Sequence, residues 1–368
     1  MKKVCLKSAE ILSIVFFVLM WFYPVSCKVN EEGIKIVPVE ESSPEINEYS
    51  VNSSDNISVY FSKKVSVVES KIFDEEEDFS HEVISQDAGE SENLWKIDFV
   101  LNEPLKAGKN YELYGIVEDE TGNTLTFSLP VSGYNERIPS LRITEVRPMY
   151  AKSSKSVTVD GEKSKIDVFK AEFIEFEVLS DGNLCSVEIV SAYDGEEKNL
   201  MLPDVEVKQG EIVVVHLRLC EGETGGISEL EDDITLSTGY YSSDFARDIW
   251  FSNSDSHLGD KQDVVFLRDS QTGKILDAVL YSLQTELSWK NDSMKSAIDE
   301  IKNQEKWNFI NEEDIYSMEN AYDVTGITNT KSFYRIKEES APDSWVLSLA
   351  SKETPGEISE ELKSFKDF

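Results

Sequence analysis

Histidine and cysteine are scarce in this chain: its 368 residues hold three histidines, His81, His216 and His257, and four cysteines. They are scattered, whereas a zinc site needs closely paired ligands, so no metal and no cofactor is expected. Phe79-Ser80-His81-Glu82 lacks the second histidine of a zinc-protease helix, and neither a Gly-x-Ser-x-Gly elbow nor a phosphate-cradling glycine loop occurs. Ser254-Asp255-Ser256-His257 contains the residue types of a hydrolytic triad. Triad members meet through folding rather than as chain neighbours, so this stretch reads as loop. Basic residues are short too: 36 Lys plus Arg stand against 71 Asp plus Glu, for a net charge of −35. Such a surface repels phosphate backbones and excludes nucleic-acid binding by counterion release. It also keeps an exported protein soluble.

Long apolar runs are limited to residues 11–23, preceded by Lys2, Lys3 and Lys7. A basic start followed by an apolar run of this length predicts a signal peptide over residues 1–26, too short for a spanning helix. Pro24-Val25-Ser26-Cys27 closes the run. It resembles a bacterial lipobox, although Pro24 replaces the usual leucine. The resemblance implies lipidation of Cys27 and an exported protein, lipid-anchored in the bacterial envelope at the outer membrane or the periplasmic face. Ordinary signal cleavage nearby is the alternative. Cys5 lies in the removed segment, which leaves Cys185 and Cys220 for the folded part. An oxidising compartment permits a disulfide between them, and two buried thiols at strand positions fit equally well.

Forty per cent hydrophobic residues over this length provide for two domains. Residues 27–45 are Glu- and Pro-containing without periodicity and read as a tether. Residues 46–134 read as all-β, with alternation in Ile57-Ser58-Val59-Tyr60-Phe61 and Trp95-Lys96-Ile97-Asp98-Phe99, and a hairpin turn at Glu120-Thr121-Gly122-Asn123. Asp119 and Asn123 are explained by that turn without calcium, which takes about six to eight oxygen ligands. The acidic run 74–78 reads as a solvated loop. The stretches 59–65, 104–111 and 117–123 together are similar, in order and spacing, to bacterial Ig-like domains. That resemblance implies a β-sandwich used as a spacer or adhesion module.

The strongest single strand signal is Glu172-Phe173-Ile174-Glu175-Phe176-Glu177-Val178, closed by Ser180-Asp181-Gly182-Asn183. Ile174, Phe176 and Val178 alternate onto one face, Phe173, Glu175 and Glu177 onto the other. Asp-Gly-Asn predicts a turn, and the two glutamates are expected on the wet face of a sandwich rather than as a catalytic pair. Around it, the Ile-x-Glu-Val stretch 143–146, the Leu-x-x-Val-x-Ile stretch 184–189, the strand 210–217, the strands 263–267 and 275–281, Ser332-Phe333-Tyr334-Arg335, Trp345 and Thr354-Pro355-Gly356 follow in order. Residues 140–357 thereby resemble a lamin-tail domain, which implies a second Ig-like sandwich, with Trp345 buried near Arg335.

Two segments depart from that pattern. Residues 219–260 form a long acidic loop, and residues 284–330 insert a helical stretch with Met294, Ile298 and Ile301 on one face. Long loops on a rigid sandwich are where binding concentrates, although a stripe of this spacing is more often core. The inserted segment must leave the sandwich and return, so its ends are expected close together. Residues 358–368 read as a frayed tail. The expectation is therefore an all-β protein of two tandem Ig-like sandwiches, with a small helical insertion in the second. It is expected to be a non-enzymatic envelope lipoprotein with a binding, adhesion or structural role, with a protein or glycan as ligand and the membrane held through its anchor. A carboxylate- or divalent-ion-dependent hydrolase, or an accessory subunit of an exported enzyme working from the 219–260 loop, is the alternative.

Overall fold

Alternating apolar residues give most strands a core-facing side, and the pairing of those sides builds two cores. The computed structural model describes residues 42–74, 79–91, 94–159, 162–194, 198–219, 225–252, 255 and 257–364. Cys27, Cys220, the acidic residues 75–78 and the segments 1–26 and 27–41 lie outside the described residues. Among the described residues, no helix is long and apolar enough to cross a membrane.

The first core is made by β1 (Ile46–Ser53), β2 (Asn56–Phe61), β3 (Val65–Asp74), β4 (Phe79–Ser91), β5 (Leu94–Leu101), β6 (Asn110–Asp119) and β7 (Thr124–Ser132). They are ordered β1-β2-β5-β4-β3-β6-β7, every pair antiparallel. Residues 79–82 of β4 pair with β3 and residues 83–91 pair with β5, so this one strand passes between two layers. The layers meet through Phe61 and Phe99, whose rings stand edge-on to Phe127 at 6.0 and 6.1 Å. The hairpin at residues 119–123 forms as expected, with Gly122 at φ 86°. Burial opposes the Asp119 charge, but hydrogen bonds from Asn123 and Thr121 outweigh it and hold the carboxyl far below its ordinary range. Asp74, expected in a wet loop, is instead buried at the end of β3 and paired with Lys109 at 2.6 Å.

The second core lies between two sheets. One joins β8 (Leu141–Arg147), β11 (Phe173–Val178), β16 (Ile212–His216), β17 (Arg247–Trp250), β21 (Phe333–Arg335) and β22 (Trp345–Leu347) in the order β17-β16-β11-β8-β21-β22. The other joins β13 (Val187–Ser191), β14 (Lys198–Met201), β18 (Gln262–Asp269), β19 (Ile275–Ser282) and β20 (Tyr322–Asp323) in the order β14-β13-β18-β19-β20. Ile143, Val146, Ile174, Phe176 and Val178 face Ile189, Val265, Leu267 and Val279 in one continuous apolar cluster. Two small sheets stand apart: β9 (Ala151–Val159) with β10 (Glu162–Lys170), and β12 (Gly182–Asn183) with β15 (Glu206–Val207). The protein is thus all-β with few helices, as its alternation predicts.

The insertion packs inward. Helix α1 (Asp292–Asn303) is capped by Asn291, whose side chain accepts from Met294 N at 2.9 Å. Met294, Ala297, Ile298 and Ile301 are fully buried in the second core, so the apolar stripe is structural. Its ends do close together: Gln284 N donates to Asp323 Oδ1 at 3.1 Å and Thr325 Oγ1 at 3.0 Å. Trp345 is also buried as expected, edge-on to Phe333 at 5.5 Å, with the Arg335 guanidinium 4.9 Å from its ring.

Three expectations fail here. The Asp-Gly-Asn stretch is no tight turn: Gly182 and Asn183 form β12, and glycine is required because a Cβ would lie 2.3 Å from Arg137 O. Cys185 sits in the turn before β13 rather than on a strand. The C-terminal stretch is not frayed along the part described, since α2 (Glu360–Ser364) follows Gly356 and fully buries Leu362.

Ile298→Ala removes buried atoms from a packed core, so it should cost about 2–5 kcal/mol of stability. Excising residues 285–321 should abolish cooperative unfolding rather than trim a loop. Denaturant titration followed by tryptophan fluorescence tests both, and an unmoved midpoint would place the helix outside the core.

Candidate functional site

The polar chemistry of this chain collects on the outer face of the six-stranded sheet. Strand β8 pairs with β11 through Glu145↔Glu175 and Glu177↔Arg142, with an irregularity that leaves Thr144 as an extra residue. A bulge of this kind turns two successive side chains outward. Thr144 Oγ1 therefore reaches Glu175 Oε1 at 2.6 Å, beside the Glu145 carboxylate, and Arg142 pairs with Glu177 at 2.7 Å.

This face is not wet. Glu145, Glu175 and Glu177 are each only 1% exposed, against the expectation from alternation. The cover is the C-terminal strap. Thr354 donates its N–H and hydroxyl to Glu145, joined there by the Ser332 hydroxyl, and Gly356 N donates to Glu175 Oε2 at 2.6 Å. Gly356 adopts φ 84°, and a Cβ there would lie 2.3 Å from Ser243 Oγ. Both the conformation and the close approach demand glycine. The Thr-Pro-Gly ending thus has a physical role: it supplies hydrogen-bond donors to a buried acid pair. Burial pushes the Glu145 carboxyl up to about 7 and Glu175 well above its ordinary value, with Glu145 as the second cause for Glu175. Glu353 and Glu357 add to the rise from the strap itself.

The acidic loop covers the other half of the same face. His216 on β16 bonds through Nε2 to Asp248 Oδ1 on β17 at 2.6 Å, and its ring stacks on Trp250 at 3.7 Å. Asp248 Oδ2 accepts from Ser243 N, and Glu229 accepts from the backbone of Asp248 and Ser237. Trp250 Nε1 donates to Ser237 Oγ at 2.9 Å. A His–Asp pair on neighbouring strands invites a general-base reading. His216 is fully buried, however, and its Nδ1 has neither exposure nor a hydrogen-bond partner. Burial pulls its pKa down against the pull of Asp248. The arrangement locks the loop onto β16. Residues 219–260, expected as a free loop, thereby contain an edge strand, β17, running parallel to β16. Strap and loop join through Arg147, which is fully buried with the Tyr241 ring 4.9 Å from its guanidinium, and through Tyr241 Oη donating to Glu353 at 2.7 Å.

Sequence reasoning missed His216–Asp248 and Glu145–Glu175, which lie 32 and 30 positions apart. The signal for the second pair existed: two strands each carried an outward glutamate. Among the described residues, no group of three or more His, Cys, Asp and Glu side chains could hold a metal ion. His257 is buried, and its pKa is pulled down to about 4 by burial. Cys185 is a buried free thiol whose pKa burial raises, while its candidate partner Cys220 lies outside the described residues.

An open recess lies between the two cores. It has a volume of about 740 Å³ and is lined by Tyr49 and Val51 of β1, Pro130 of β7, Tyr134, Met201 and Pro203. The walls are held by the connecting segment: Asn135 N donates to Gln271 Oε1 at 2.6 Å, and Asn135 Nδ2 donates to the carbonyls of Asn183 and Cys185 at 2.9 and 2.6 Å. Asn135 is buried, so this connection is a bonded bracket rather than a free linker.

The acid pair sets a pH dependence. A carboxyl whose folded pKa is raised contributes stability that is complete below its ordinary value and lost as pH rises through the folded value. Stability should therefore fall by more than about 1 kcal/mol between about pH 5 and pH 8. Asp263, which burial raises to about 7, loses stability over the same window. Glu175→Gln should flatten the slope without abolishing it, as read by thermal unfolding across that range. A slope of the opposite sign would place a fully ionised pair, rather than a protonated one, under the strap.

Comparison with known proteins finds similarity to an uncharacterized protein of Treponema pallidum (strain Nichols), 30% identical over 175 residues. That match covers 47% of this chain and 39% of the relative, so the chain spans well under half of that protein's length. Among solved structures, the N-terminal part of the bacterial S-layer protein SbsC is similar at 15% identity over 37% of this chain and 41% of that one. Its TM-score is 0.23. Residues 139–347, which contain most of the strap-covered sheet and the inserted helix, match the model TP_1001_2nd, protein second domain, and the chain belongs to that family.

Proposed function

We propose that this chain is a non-enzymatic lipoprotein of the bacterial envelope, acting as a binding, adhesion or structural module. The observation that carries the reading is where its reactive residue types are used. Glu145, Glu175, His216 and Asp248 are all buried, and each spends its hydrogen bonds on holding the strap or the loop. General acid–base work needs such groups within reach of a substrate. The resemblance of residues 46–134 to bacterial Ig-like domains and of residues 140–357 to lamin-tail domains supports the same reading, because those modules serve as spacers and adhesins. The recess beside Tyr49 and Met201 is the seat for a protein or glycan ligand, with aromatic and aliphatic side chains on a bracketed frame. The anchor is acylated Cys27. One acyl chain gives only marginal membrane binding, so at least two are needed for stable attachment.

Two measurements test this. A panel of hydrolase substrates, with and without divalent ions, should show no turnover. Turnover abolished by replacing Asp or Glu residues within 219–260 would establish the carboxylate-dependent hydrolase instead. Cys27→Ala should leave an unprocessed or soluble form with no acyl mass on its N-terminus. A variant that is processed normally and stays in the membrane fraction overturns the lipobox reading.

A further inference from the structure

The first sheet ends on β1 and β7, and among the described residues neither strand pairs further out. Both free edges face the recess: residues 49–51 of the one and 130–132 of the other line it together. Register decides which backbone groups are left over. Leu101 N donates to Asp55 O at 2.8 Å, which sets Ile57 and Val59 bonding to β5 and Ser58 to β1. Ser50 lies opposite Ser58 and is used there, so Tyr49 and Val51 turn their N–H and C=O groups to the free side. Gly133 N donates to Lys109 O at 2.9 Å, so Leu129 and Val131 bond to β6. Ser128, Pro130 and Ser132 therefore turn theirs outward. Pro130 has no N–H and occupies a position where the sheet needs none. One bond crosses the seam, from Tyr49 Oη to the Pro130 carbonyl at 2.8 Å. Val51 and Leu129 are only partly buried against the first core.

We propose that the recess takes an extended segment of a partner protein, which adds as a strand to the β7 edge with β1 as the facing wall. This rests on the reading of the recess as a ligand seat and narrows the ligand to a polypeptide. A peptide strand repeats its donors and acceptors every second residue, at about 6.6 Å, as the outward groups of Ser128, Pro130 and Ser132 do. Saccharide hydroxyls carry no such repeat. Main-chain hydrogen bonds supply the affinity and alternate side chains the selectivity, with apolar ones covering Val51 and Leu129. Charge selects further. Asp204 is the one charged residue on the recess wall among the described residues, and the chain carries −35. A segment bearing Lys or Arg is thus attracted, and an acidic one, a second copy of this chain included, is repelled.

The test uses the full chain, carrying Cys27→Ala in every arm, and a library of short peptides that alternate Val or Ile with Thr and carry a terminal Lys. Binding is read by fluorescence anisotropy and by backbone hydrogen exchange. Peptides that bind should slow exchange at the amides of Tyr49, Val51 and Ser132. N-methylating the two peptide nitrogens that face the edge should weaken them about tenfold. Ser132→Pro removes an outward donor and no sheet bond, so it should weaken binding, whereas Ser132→Ala should not. Tyr49→Phe frees the Pro130 carbonyl and should tighten binding. Capture that N-methylation and Ser132→Pro both leave unchanged overturns strand addition but keeps the recess as a protein seat. Peptides that fail while an oligosaccharide panel binds, with Met201→Asp abolishing that binding, overturn it in favour of a glycan. Dimerisation blocked by Ser132→Pro would make a second copy the occupant and overturns it too. Binding of neither peptide nor oligosaccharide removes the recess as a ligand seat along with the strand.

Discussion

The paired carboxylates of Glu145 and Glu175 set the terms for the whole six-stranded sheet. Side by side on adjacent strands and shut away from water, they are costly unless every oxygen finds a donor. Thr144, Ser332, Thr354 and Gly356 provide those donors from β8, from the start of β21 and from the strap. Removing the strap would take from the acids the donors of Thr354 and Gly356, so the C-terminal segment belongs to the fold. The proximity of two like charges in a dry site also favours keeping a proton there, which links strap and pH.

The second constraint is the joint closure of that face. The acidic loop could have been a ligand-binding appendage. Instead Glu229, Asp248 and Arg247 direct it back onto β16: Arg247 ties the loop through Glu211 at 2.6 Å and through the carbonyls of Glu229 and Glu231 at 2.6 Å. Buried ion pairs contribute weakly to net stability but are strongly destabilising when broken. This network thus fixes where the loop lies more than it deepens the free-energy minimum. The closure does not consume the bracketed recess between the cores.

Most strands were legible. Alternation in residues 57–61, 95–99 and 172–178 located β2, β5 and β11, and the apolar runs at 263–267 and 275–281 located β18 and β19. The stripe at Met294, Ile298 and Ile301 announced a core helix. The β9–β10 ribbon was not legible, because a strand pair without a buried face lacks the apolar contrast that alternation requires. Strand β17 was hidden by its acidic, glycine-containing surroundings, and its arginine is held there by Glu211 and the Glu229 carbonyl.

By itself the sequence determined the all-β class, the apolar faces and the position of the helical insertion, since each depends on residues a few positions apart. It also determined the overall acidity. The tertiary structure alone decided which polar faces are wet. Glu175 and Glu177 alternate as solvent-facing residues would, and nothing near them in the chain reports that residues some 180 positions later supply Gly356 N to Glu175. Burial of a polar group is a property of whatever arrives to cover it, and here the cover comes from the far end of the chain.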